Sequence, residues 1–106
     1  MSPTQLTLKR LREMGYYAQV VEHYNAFAKI RQDLFGGVDV LALGEGRTLA
    51  VQCTSKSNMA SRVKKLLALP VLPFMRSCRW ELQVWGWAKS KKTRKYELFI
   101  EGVLPW

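Results

Sequence analysis

The residues best suited to chemistry lie in two neighbouring stretches. Val38-Asp39-Val40-Leu41-Ala42-Leu43 sets one acid at the start of an otherwise apolar run. Runs of this kind go to the interior of a sheet, where a carboxylate is costly unless it is paired or bound to a metal. The second stretch is Leu49-Ala50-Val51-Gln52-Cys53-Thr54-Ser55. Side chains alternate along a strand, so Gln52 and Thr54 share one face while Val51 and Cys53 share the other. Gly44-Glu45-Gly46 joins the two stretches as a tight turn, which lets Gln52 and Thr54 converge near Asp39. Structural roles also fit each residue: Asp39 as a turn or cap residue, Gln52 as a satisfied core amide, and Thr54 as an ordinary strand threonine.

Local pattern predicts the elements that must hold these residues. Thr4 to Met14 reads as a helix, with Leu6, Leu8, Leu11 and Met14 at near-helical spacing. Ser2 or Thr4 can cap its start, and Gly15 stands where a terminal glycine would end it. Tyr16 to Tyr24 is rich in aromatic and β-branched residues and reads as a strand. Asn25 to Gly37 has no clean period and reads as a loop with at most a short helical turn. Val38 to Leu43 and Arg47 to Thr54 form a hairpin. Met59, Ala60, Val63, Leu66 and Leu67 make the apolar stripe of a helix, which Pro70 and Pro73 close or kink. Arg79 to Ala88 reads as a strand covered on both faces, Lys89 to Lys95 as a basic loop, and Tyr96 to Val103 as a last strand. The order is α-β-β-β-α-β-β in one α/β domain spanning residues 1–106, a mixed sheet flanked by helices.

Composition narrows the function. Lys and Arg number 17 against 8 Asp and Glu, a net charge of +9. Residues 1–52 hold six basic and five acidic side chains, net +1; residues 53–106 hold eleven and three, net +8. Such a basic half suggests a polyanionic partner, foremost nucleic acid. The candidate phosphate contacts are Lys29, Arg31, Arg62, Lys64, Lys65, Lys91, Lys92 and Arg94. Two cysteines make no disulfide framework, and with the lone His23 they make no ordinary zinc site. Cys53 reads as a small buried hydrophobe rather than a nucleophile. Trp80, Trp85 and Trp87 read as core rather than as stacking platforms for bases. No run approaches the length of a membrane span, and Met1 to Arg12 lacks the apolar segment of a secretory signal. The expectation is a cytoplasmic protein with no membrane partner and no small-molecule cofactor.

An N-terminal helix, a three-stranded meander, an Asp opening the second strand and a polar-x-polar pair on the third together resemble the PD-(D/E)XK nuclease superfamily. The stretch from Arg31 to Leu43, followed by Leu49 to Ser55, is similar to small phage-type members near the VRR-NUC and Holliday-junction-resolvase groups. The resemblance covers about residues 4–90 and is strongest over 31–67. It implies a restriction-endonuclease-like αβββαβ core that hydrolyses DNA phosphodiesters with Mg²⁺ or Mn²⁺. Asp39 matches the metal-ligating motif Asp. Gln52 stands where the motif has Asp or Glu, and would ligate through its amide oxygen. Thr54 stands where the motif has Lys, and would position water or the scissile phosphate. A neutral hydroxyl cannot supply the motif lysine's charge. Lys56 keeps the same facing if the strand extends that far and is a candidate replacement, with Lys29 and Arg31 just upstream of Asp39 as the others. Glu22 or Asp33 is the candidate second carboxylate.

Three readings of function follow. The first is a metal-dependent DNA nuclease, with branched DNA such as a Holliday junction as the substrate the resemblance implies. The second is a nuclease-fold protein that binds nucleic acid without cutting it. The third is a basic RNA-binding protein. Junction-resolving members of the family act as homodimers, and Tyr96 to Ile100 together with Val103, Leu104 and Trp106 offers a candidate interface.

Overall fold

The fold is described from a computed structural model over residues 1–105. The first helix, α1 (Pro3–Glu13), is capped by Ser2, whose hydroxyl accepts from the Gln5 backbone while the Gln5 side chain accepts from the Ser2 backbone. This reciprocal pair satisfies two donors at the helix start. The strands follow as β1 (Tyr17–Val20), β2 (His23–Asn25), β3 (Ile30–Gln32), β4 (Val40–Gly44) and β5 (Arg47–Ser55). A 3-10 turn (Lys56–Asn58) leads into α2 (Met59–Leu67), then α3 (Leu72–Ser77), β6 (Glu81–Lys89) and β7 (Tyr96–Leu104).

Five strands form one mixed sheet in the order β1-β4-β5-β6-β7, and β2 and β3 form a separate two-stranded sheet. Only β5 and β6 run parallel; every other neighbouring pair is antiparallel. The β4–β5 turn is Glu45-Gly46 with φ of 53° and 71°, the left-handed pair that suits the twist of a two-residue hairpin.

Alternation along the central strands builds two cores. Leu6 and Leu11 of α1 pack with Ala42, Leu49, Val51, Cys53, Trp85 and Trp87. Leu66, Leu72 and Met75 of α2 and α3 pack with Ala50, Leu82, Val84, Val103 and Leu104. The helices therefore cover opposite faces, and β5 and β6 are sealed on both, as a parallel pair requires. Trp87 also donates from Nε1 to the buried Thr7 hydroxyl at 2.9 Å, fixing α1 to the sheet. Gly86 lies where α2 arrives: a Cβ there would meet the Met59 side chain and come within 3.1 Å of the Lys56 backbone.

Four expectations change. The strand expected over Tyr16 to Tyr24 breaks at Val21, because β1 pairs with β4 while β2 turns away to pair with β3. The expected loop after Asn25 thus contains a hairpin. Its turn is held by the Asn25 carboxamide, which accepts from the backbones of Phe27 and Ala28 at 3.0 and 3.1 Å. Pro73 opens α3 rather than ending α2, since proline loses no hydrogen bond in a first helical turn. Val103 and Leu104 are buried in the core, which leaves the Tyr96 to Ile100 stretch, with Tyr96 and Ile100 exposed, of the candidate interface; Trp106 lies outside the described residues. No helix among the described residues is long and apolar enough to cross a membrane.

Candidate metal and phosphate site

Asp39 sits one residue before β4, its backbone N–H donating to the Val51 carbonyl at 2.9 Å. With Val40 opposite Val51, this places Asp39 beside Gln52 in the ladder. Both side chains are buried. Gln52 Nε2 donates to Asp39 Oδ2, and the Cys53 backbone N–H donates to the same oxygen at 2.8 Å. The Gln52 oxygen faces the other way. It accepts from Lys65 Nζ of α2 at 3.3 Å, and the same ammonium lies 3.3 Å from Asp33 Oδ2. A chain of contacts thus runs Asp39–Gln52–Lys65–Asp33.

Two further carboxylates close the cluster. One oxygen from each of Glu22, Asp33 and Asp39 lies within 4.8 Å of the others. Glu22 follows β1 and Asp33 follows β3, so the β2–β3 hairpin leaves and re-enters the fold between them. Arg31 of β3 reaches Glu22 at 3.6 Å with its own side chain largely in solvent. The Asp39 carboxyl is pushed up to about 7. Burial is the main cause, and hydrogen bonding to the Asp33 carboxyl adds to it. The Cys53 N–H works the other way, and the charges of Asp33 and Glu22 raise it again. Near neutral pH the cluster therefore holds a proton in place of a fuller countercharge.

These residues can hold a metal ion. Their donors are hard anionic oxygens, the set that Mg²⁺ or Mn²⁺ prefers.

Thr54 is buried two residues beyond Gln52 on the same face, opposite Gly86 of β6. Lys56 is not brought to Asp39. The strand gives way to the 3-10 turn there, and Lys56 Nζ lies 4.1 Å from the centre of the Phe99 ring. The lysine that does reach the site is Lys65. Sequence reading placed it among the phosphate contacts, because on a helix it is one more cation beside Lys64. Arg62 and Lys64 lie elsewhere on α2, and Lys29 lies in the β2–β3 turn. Lys91, Lys92 and Arg94 lie in the β6–β7 turn. That turn follows the carboxyl end of β6, whereas Gln52 pairs with Val84 in the first half of β6, so the structure does not bring these three cations to Asp39.

The remaining candidates have structural places. The Cys53 thiol is pushed up to about 12, mainly by burial, which removes it as a nucleophile. His23 is exposed on β2, and Trp85 and Trp87 are core residues. Comparison with family models, with curated proteins and with solved structures finds no match to this chain.

Proposed function

We propose that this chain is a divalent-metal-dependent nuclease of the PD-(D/E)XK type acting on DNA. The observation that carries the reading is the convergence of Glu22, Asp33 and Asp39 with Lys65 and Gln52 at one end of the sheet. The strand order, with β1, β4 and β5 as a meander and α2 crossing to a parallel β6, accords with an αβββαβ core.

Asp39, Asp33 and Glu22 would hold the cation, which when bound supplies a Lewis acid for the phosphoryl oxygens. Lys65 carries the positive charge that Thr54 lacks, and its ammonium is aimed by Asp33 and by the Gln52 oxygen. From there it can bind a phosphate oxygen and stabilise charge that grows on it. Gln52 keeps Asp39 and Lys65 in register by bonding to both. Lys91, Lys92 and Arg94, in the β6–β7 turn, would meet phosphates farther along a bound strand. Branched DNA is the substrate class that the resemblance favours.

The test is cleavage of linear duplex, single-stranded and four-way-junction DNA with Mg²⁺ or Mn²⁺, by wild type and by Asp39→Asn and Lys65→Met. Divalent-dependent cleavage that both variants lose is expected. Cleavage that survives Asp39→Asn overturns the site assignment.

One observation favours a second reading, in which the chain binds nucleic acid without cutting it. Gln52 occupies an acidic motif position, and its oxygen is turned toward Lys65 rather than toward the carboxylates. A silent wild type in which Gln52→Glu creates divalent-dependent cleavage would select that reading.

A further inference from the structure

The β2–β3 hairpin is the part of the molecule that the proposed chemistry does not use. It pairs His23 with Gln32, Tyr24 with Arg31 and Asn25 with Ile30, and shares no ladder with the main sheet. Its apolar side chains are in solvent: Tyr24 is 60% exposed, Ile30 51% and Phe27, in the turn, 103%. A solitary two-stranded ribbon gains little from burying apolar surface, so three large apolar groups held in water call for a partner.

The chemistry of that partner follows from what accompanies the rings. Residues 23–32 contain Lys29 and Arg31 and no acid. Tyr24 and Arg31 are directly opposed and so share a face of the ribbon. Aromatic faces interleaved with cations suit bases and phosphates of a strand whose bases are free to stack. A paired duplex hides its base faces and offers only grooves and backbone. The place of the ribbon matters equally. Its two ends are Glu22 and Asp33, both members of the carboxylate cluster, so a strand on the ribbon is delivered to the metal and phosphate site.

We propose that this ribbon is a nucleic-acid-binding arm that stacks Phe27 and Tyr24 on unpaired bases, and that it selects DNA with unpaired nucleotides beside a duplex. This rests on the nuclease reading for its choice of DNA, and the test separates the two. Binding is measured by fluorescence anisotropy in Ca²⁺ with a plain duplex and with the same duplex carrying a single-stranded tail. A 2-aminopurine in the tail reports stacking.

Wild type is expected to prefer the tailed DNA by about tenfold and to change the 2-aminopurine signal. Phe27→Ala should lose the preference and the signal while binding plain duplex as wild type does. Tyr24→Ala should lose part of both, and Phe27→Trp should restore the preference. Phe27 is fully exposed and Tyr24 60% exposed, so circular dichroism of both alanine variants should match wild type. Equal affinity of wild type and the Phe27→Ala, Tyr24→Ala double variant for tailed DNA overturns the arm, whether or not the protein cuts. A Phe27-dependent preference without any cleavage in Mg²⁺ upholds the arm and removes the nuclease. Absence of any DNA binding overturns both.

Discussion

The two ends of the β5–β6 pair handle charge in opposite ways. At the amino end Arg47 meets Glu81 in a two-pronged contact, 2.6 and 2.8 Å, and Arg47 also donates to the Tyr16 hydroxyl at 2.7 Å. The Tyr16 hydroxyl in turn donates to Glu45 at 3.2 Å, and the Glu81 carboxyl is held below its ordinary range, chiefly by hydrogen bonding to Arg47. Toward the other end of β5 the carboxylates of Glu22, Asp33 and Asp39 gather, with Lys65 on Asp33 and Arg31 reaching Glu22 from solvent. There Asp39 is pushed up instead. One carboxylate is held charged by a guanidinium; the other is held toward its protonated form by burial and neighbouring carboxyls. That contrast, with three carboxylates gathered at the second site, is the physical reason to look for a cation there and not at the first.

The largest expected effect separates the ends by activity. Asp39→Ala should lower divalent-dependent cleavage by about a thousandfold or more, since loss of the cation removes several kcal/mol of transition-state stabilisation. Arg47→Ala should leave cleavage within twofold of wild type. Equal losses in the two variants, measured at matched fractions folded, would erase the distinction. Next, Lys65→Met should lower cleavage by roughly 10²- to 10³-fold, the usual consequence of removing one transition-state donor. Its binding of Mn²⁺, followed by calorimetry, should persist.

The pH responses should differ in sign. Asp39 is raised in the fold, so the folded state holds a proton that the unfolded chain gives up. Its contribution to stability therefore falls as pH rises from about 4 toward about 7. Glu81 is lowered, so its contribution is present above the ordinary carboxylate range and is lost as pH falls through the depressed value. Urea unfolding of Asp39→Asn and Glu81→Gln across pH 4 to 8 should show the two slopes disappear separately. Mn²⁺ affinity should rise with pH up to about 7, with release of a proton that Asp39→Asn abolishes. A pH-independent Mn²⁺ affinity would contradict the assignment of that proton to the cluster.

The smallest effect is the structural one. Arg47 and Glu81 are about one-third and one-quarter exposed, so Arg47→Ala should cost about 1 kcal/mol by chemical denaturation. A cost several times larger would mean that the Tyr16 contact, rather than the ion pair, holds that end.

Much of this was legible in the chain and some was not, for identifiable reasons. Asp39 stands out because it is an acid at the head of an apolar strand, and Gln52 because alternation marks it as a polar group on a covered face. Both clues come from burial, which a hydrophobic pattern records. The β2–β3 hairpin left no such record, since its side chains are exposed and no apolar period marks its strands. Without the hairpin the distance between Glu22 and Asp33 along the chain conceals that they meet. Lys65 is hidden for a related reason: its stem rides on a solvated helix face, and only the packing of α2 on β5 decides where its ammonium ends. Lys56 shows the converse, a lysine at the right spacing that the 3-10 turn carries away to Phe99.

The parallel pairing of β5 with β6 also bears on how the chain comes to be made. Every group of the carboxylate cluster, and Lys65 with it, lies in the first 67 residues. A nascent or truncated chain that stops there has the whole site and no neighbour for one side of β5, a nine-residue strand that is mostly buried in the finished protein. Such an edge is a template for other chains. A 1–67 fragment should therefore collect in the insoluble fraction despite its net positive charge. In the whole chain β6 covers that edge of β5.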